Sequence, residues 1–163
     1  GCPSGEATVG SISCYYTNCW SLRNKIASLH NFLSERKYSI VFLTETFLKP
    51  DVTDAVFGLP QYHIFRRDRP SHGGGVAILL STKLLFRPVE IDLSPCEICA
   101  VDIVGSRDDF CRIICVYRPT NYDLHQTGLL ISRICDLVVN VRSFVICGDF
   151  FCFHVLGSSA SAG

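Results

Sequence analysis

The sequence predicts a mixed α/β sandwich, on three observations. An apolar run near the start gives way to residues at helical spacing. A second helical stretch precedes the last apolar run, and four short apolar runs divided by turn residues lie between the two. Strands grouped between helices, with parallel and antiparallel pairing both expected, suit packed layers of helix on sheet.

"SISCYYTN" (residues 11–18) reads as a first strand. In "WSLRNKIASLHNFLSER" the period changes: Leu22, Ile26, Leu29 and Leu33 fall on one helical face with Phe32 beside them. Ser21 is the expected N-cap, with Asn18 competing for the role. Trp20 is expected to pack at the start of that helix, with stacking on an extruded base as the alternative. "YSIVFLTE" is nearly continuous in apolar residues up to Glu45, as in a strand covered on both faces. The opening is thus strand, helix, strand, a βαβ unit. "LKPDVTDAVFGLPQ", with Pro50, Gly58 and Pro60, reads as a loop. "YHIFRRDRPSHGGG" reads as a short strand and a basic, glycine-rich loop. "VAILLS", "LLFRPVEIDL", "EICAVDIV" and "CRIICVY" are the four strand candidates in between. Helical spacing returns through Leu130, Ile134, Leu137, Val138 and Val141, and "SFVICGD" is the last strand. Residues 1–10 and 154–163 are expected to be a disordered leader and tail around one domain at 11–153.

Composition bounds the function. Of 163 residues, 48% are hydrophobic and 18% charged, a globular balance, and the formal net charge is zero. Nucleic-acid contact must therefore come from a local basic patch. The opening lacks the apolar core of a signal peptide, and no stretch has the length of a membrane span. An intracellular chain with no membrane contact is expected. The ten cysteines, in a reducing compartment, suggest either a zinc or redox module on Cys96, Cys99, Cys111 and Cys115, or small core residues. Strand geometry favours the core. Residues three apart point to opposite faces and residues four apart lie about 13 Å from each other, whereas zinc draws four sulfurs to about 2.3 Å from one point.

Four apolar runs finish on residues able to do polar chemistry: Asn18, Glu45, Tyr117 and Asp149. An acid at a strand end is commonly a cap or a solvated turn, but strand ends on one sheet edge can bring distant positions into one cleft. Such a set suits phosphoester hydrolysis with a hard divalent ion, which takes one or two carboxylates, waters and phosphate oxygens. Glu45 is the candidate carboxylate ligand. Asn18 can orient the ion or a phosphate oxygen, Asp149 can handle a proton, and Tyr117 can donate a hydrogen bond to phosphate.

"TNCWSLRNKI", "IVFLTETFL", "YHIFRRDRPSHGGGVAIL", "IICVYRPT" and "FVICGDF" occur in this order. Together they resemble the endonuclease/exonuclease/phosphatase superfamily, in particular the endonuclease domain of LINE-type non-LTR retrotransposons, related to apurinic endonucleases. The resemblance implies a four-layer α/β sandwich, here incomplete, with about the first two thirds present. It also implies target-site nicking of DNA dependent on Mg²⁺ (or Mn²⁺), with Glu45 and Asn18 as metal residues and Asn18, Glu45, Tyr117 and Asp149 as catalytic ones. A reverse transcriptase domain of the same polyprotein would follow, and the nucleus would be the place of action. Arg66, Arg67, Arg69 and Arg118 are the candidate substrate contacts, with a solvated loop as the alternative for the first three.

The match departs in two places. Phe151 stands where the family has an asparagine at the scissile phosphate, and a phenyl ring offers none of its hydrogen bonds. The family's late Ser-Asp-His segment is not in this sequence, and His154 comes too early to replace it. An inactive copy is therefore expected, one that Phe151→Asn alone does not restore. A non-catalytic remnant that binds nucleic acid weakly is the alternative. Gly73 to Gly75 suggests a phosphate loop, but "VAILL" after it reads as a strand, which favours a tight turn. His72 joins the three loop arginines as a candidate backbone contact, while His30, His63 and His125 read as packing or surface residues.

Overall fold

In the computed structural model, which describes residues 4–9, 12–92, 96–150 and 155–158, two five-stranded sheets face each other. The first contains β1 (Ser4–Val9), β2 (Ile12–Asn18), β3 (Ile40–Thr44), β4 (Tyr62–Arg67) and β5 (Val76–Ser81), in the order β1-β2-β3-β5-β4. The second contains β6 (Phe86–Pro88), β7 (Glu97–Val104), β8 (Phe110–Tyr117), β9 (Ser143–Asp149) and β10 (Val155–Ser158), in the order β10-β9-β8-β7-β6. α1 (Ile26–Glu35) covers the outer face of the first sheet and α2 (Leu124–Val138) that of the second. The result is the expected α/β sandwich of four layers.

Alternation along each strand builds these layers. Ile40 and Phe42 of β3 point between the sheets, while Val41 and Leu43 pack towards Leu29 and Leu33 of α1. In β8, Ile113, Cys115 and Tyr117 face the first sheet, and Ile114 and Val116 pack with Leu130 and Leu137 of α2. Burying each such aliphatic side chain stabilises the fold by about 1.5–3 kcal/mol. Each sheet has one parallel pair joined by a helix: β2 with β3 through α1, and β8 with β9 through α2. The two pairs end at a common rim, which carries the candidate site.

Several elements differ from the sequence reading. α1 begins at Ile26, and Ser21 is not its N-cap. Residues 21 and 22 instead spend their amides on the Glu45 and Thr46 carbonyls, so a loop and not a helical turn carries Leu22 into the core. Trp20, expected to pack, is 65% exposed. The expected leader contains β1, paired antiparallel with β2, and the expected tail contains β10, paired with β9. These edge strands form through backbone bonds, which a polar composition does not announce. "LLFRPVEIDL" shrinks to the three residues of β6, since Pro88 has no amide hydrogen to continue the ladder. The four middle strands divide between the sheets: β5 pairs antiparallel with β3 and β4 in the first, and β6 to β8 pair antiparallel in the second.

Candidate active site

Backbone strain marks the rim. Glu45 follows β3 at φ 50° and Phe47 sits at φ 53°, left-handed values costing about 1–3 kcal/mol at a residue with a side chain. Neighbours on both sides hold this turn. On one side Ser21 and Leu22 donate to the Glu45 and Thr46 carbonyls, both at 2.9 Å. On the other, Thr46 and Phe47 donate to the Gly75 and Gly74 carbonyls, at 3.3 and 2.9 Å. Gly75 is at φ 91°, and a Cβ there would come within 2.5 Å of the Thr46 hydroxyl. The triple glycine is thus a tight turn bracing Glu45, and β5 follows it as expected.

The four strand-end residues meet at this turn. Asn18 Nδ2 donates to Glu45 Oε1 at 3.2 Å and to Asp149 Oδ2 at 3.0 Å. Glu45 is 9% exposed. Tyr117 lies opposite Asp149 in the β8–β9 register, and its hydroxyl hydrogen-bonds the Glu45 carboxylate. Burial first, then that bond and the charges of Glu45 and Glu97, push the Tyr117 phenol above its usual range, so it stays a protonated donor. Gly148, at φ 153°, lets β9 close on β8, since a Cβ there would run into the Val116 carbonyl.

Asn18 turns its amide hydrogens to the carboxylates, while its Oδ1 accepts from the Trp20 amide at 3.0 Å. Its nitrogen thus ties the two acids together and its oxygen ties the loop after β2 to the same point. Glu45 has no cationic side chain as partner among the described residues, and one amide separates it from Asp149. Two nearby acids with a single neutral donor between them form an oxygen-rich site that suits a hard cation taking one or two carboxylates.

A family model described as the Endonuclease/Exonuclease/phosphatase family matches residues 16–150. The chain belongs to that family. No curated protein matches it in sequence. Among solved structures it is similar to an AP endonuclease from Archaeoglobus fulgidus, at 20% identity and TM-score 0.60, covering 82% of this chain and 55% of that one. It also resembles the APE2 catalytic domain of Xenopus laevis, at 18% identity and TM-score 0.65, covering 82% and 56%. A third is the 3′ phosphatase NExo from Neisseria bound to a product DNA hairpin, at 20% and 0.59, covering 83% and 55%. At these identities the likeness is one of fold. The chain spans about half the length of these structures.

The arginines named as substrate contacts in this endonuclease/exonuclease/phosphatase fold have work inside the chain. Arg66 pairs with Asp54 and Asp68, each at 3.2 Å, and donates to the Val52 carbonyl. Arg118 donates to Thr127 Oγ1 at 3.1 Å and to the Tyr122 carbonyl at 3.2 Å, tying down the start of α2. Arg69 is ion-paired with Glu97. Arg67, at the end of β4 opposite Val76, lines an open groove with Arg69, Pro88 and Ile98. His72 packs beside the Phe47 ring, with centroids 5.6 Å apart. Phe151 and His154 lie outside the described residues.

Sequence reasoning missed Glu97. It is 4% exposed at the start of β7, accepts the Gly75 amide and holds Arg69. The second sheet thereby grips the glycine turn that braces Glu45. An acid opening an otherwise apolar run was the available signal. The four cysteines considered for zinc or redox work pack into the sandwich: Cys96 on the α2 side of the second sheet, Cys99 and Cys115 between the sheets, and partly buried Cys111 beside them. Burial raises the thiol of Cys99 to about 12 and that of Cys115 well above 9, unsuited to metal or redox work. Among the described residues no helix is long and apolar enough to cross a membrane.

Proposed function

We propose that this chain is the metal-dependent, phosphodiester-cleaving domain of a LINE-type retrotransposon, acting on DNA, with its turnover impaired at position 151. The observation that carries the reading is the junction of Asn18 with both Glu45 and Asp149, which joins acids from the two sheets at one rim. Enzymes of this family generally depend on a divalent metal. Glu45 would hold Mg²⁺ (or Mn²⁺), with Asp149 beside it, and the bound ion would supply Lewis-acid polarisation of a phosphate oxygen. Tyr117, kept protonated by its surroundings, would turn its one hydroxyl proton from Glu45 to a phosphate oxygen when substrate arrives. Asn18 fixes both carboxylates. Asp149, accepting at Oδ2, is the group placed to take a proton from a water. A reverse transcriptase domain as partner and the nucleus as place of action belong to the same proposal, and the run "RRDRPSHGGGV" supports it.

Phe151 favours a second reading, a fold that binds DNA without cutting it. Loss of one transition-state donor costs on the order of 10²–10³ in rate. Thermal unfolding and DNA binding with and without magnesium test the site itself. The ion should raise both the unfolding midpoint and the affinity for duplex DNA, and both effects should vanish in Glu45→Ala. No effect of the ion on the parent chain overturns the proposal. Nicking of supercoiled plasmid then decides between the readings: nicking absent from Glu45→Ala means a working enzyme, and none means a binding fold.

A further inference from the structure

The chain's one tryptophan occupies an unfavourable position. Trp20 has φ 43° and Ser21 has φ 77°, two consecutive left-handed residues. For a bulky residue this is a genuine outlier, kept only where the surroundings over-determine it. Here they do. Asn18 Oδ1 holds the Trp20 amide, Lys25 Nζ holds the Cys19 and Trp20 carbonyls, and Glu45 holds Ser21. These bonds explain the backbone. They leave unexplained why the braced residue is a large aromatic ring that is 65% exposed.

We propose that Trp20 is a stacking platform for a nucleobase of a strand lying along the rim of Asn18, Glu45 and Asp149. The proposal rests on the nuclease reading for its ligand. An indole face accepts any base, and a backbone held in advance leaves only the side chain's own torsions to be ordered on binding. Residues 20–25, "WSLRNK", carry two cations and no acid, and Arg23 and Lys25 are exposed on the same loop. In a chain of zero net charge this local positive charge suits a phosphate backbone. An apolar protein partner would instead find a polar, charged rim around the ring.

Having a single tryptophan makes the test direct. The whole chain is titrated in EDTA with a dT oligonucleotide and with an abasic sugar–phosphate strand of the same length. Indole emission should be quenched by the dT strand and left unchanged by the abasic one. By anisotropy of labelled strands, Trp20→Ala should bind dT about 5- to 150-fold more weakly, bind the abasic strand as the parent does, and keep its unfolding midpoint. Trp20→Phe should retain most of the affinity. Equal dT affinity of Trp20→Ala and the parent overturns the proposal, as does an emission change that follows protein concentration without DNA. Base-dependent quenching in a chain showing no effect of magnesium keeps the platform and removes the nuclease reading. Plasmid nicking lost in Glu45→Ala, with Trp20→Ala binding dT like the parent, removes the platform alone.

Discussion

Asn18 and Asp149 lie 131 residues apart, in different sheets, and are joined by a 3.0 Å hydrogen bond at the rim where both sheets end. The same amide nitrogen serves Glu45, so one neutral side chain holds two acids. Asn18→Ala should destabilise the chain by about 1–3 kcal/mol, because it takes one donor from the buried Glu45 carboxylate and one from the half-buried Asp149. Asn18→Asp should cost more, since it adds a third like charge, and magnesium should recover part of that loss. Urea unfolding with and without the ion measures both. Equal stability of the three proteins would mean that the junction does not hold the rim.

Glu97 makes a separate prediction, since it supports Glu45 only through the glycine turn. Removing one partner of a buried pair strands the other, at about 3–5 kcal/mol. Glu97→Ala should fall short of that loss, because the Arg69 side chain is 26% exposed, while Arg69→Met with Glu97→Leu should be milder still because no charge is left behind. Magnesium binding should weaken in Glu97→Ala although Glu97 is not placed as a ligand. Calorimetry of the ion checks this, and unchanged affinity would separate the turn from the site.

How much of this was legible depended on where each interaction is encoded. Asn18, Glu45, Tyr117 and Asp149 each close an apolar run, so a local pattern marks them, and the two parallel βαβ units carry that pattern to one rim. Glu97 is encoded non-locally: its partners Arg69 and Gly75 lie 28 and 22 positions away. Leu22 has helical spacing and core burial, yet it sits in a loop whose amides serve residues 45 and 46, so period alone misplaces the start of α1. β1 pairs through its backbone, although Gly10-Ser11, between the paired Val9 and Ile12, is a two-residue hairpin signal. Asp123 and Gln126 form a reciprocal capping box that marks the start of α2 from sequence spacing alone.

Gly148 tests whether the rim needs its close strand approach. Its φ of 153° belongs to a region that is nearly glycine-only, and an added Cβ strikes the Val116 carbonyl. Gly148→Ala should cost about 1–3 kcal/mol from the backbone alone, with further loss from the displaced strand. It should also move Asp149 away from Asn18 and weaken magnesium binding. A variant as stable as the parent would show that β9 approaches β8 less closely than described.

Alkali should unfold the chain, and the sign follows from burial. Desolvation lifts the thiol of Cys14 to about 11, and those of Cys99 and Cys147 to about 12, from the usual 9. The Tyr117 phenol is raised from 10 for the same first reason. Each is an acid whose folded pKa exceeds its unfolded one, so the folded chain keeps a proton that the unfolded chain releases. This part of the stability is fully present below about pH 9 and falls as pH rises through 9 to 12. For Cys99 and Cys147 the loss is about 1.4 kcal/mol per pH unit each across that window. Stability by urea unfolding should therefore be flat from pH 7 to 8.5 and drop steeply above 9.5. A thiol reagent at pH 8 should label exposed Cys135 quickly, while Cys99, Cys115 and Cys147 react only as the chain unfolds. Rapid labelling of those three in the folded chain, or stability unchanged up to pH 11, would contradict their burial between the sheets.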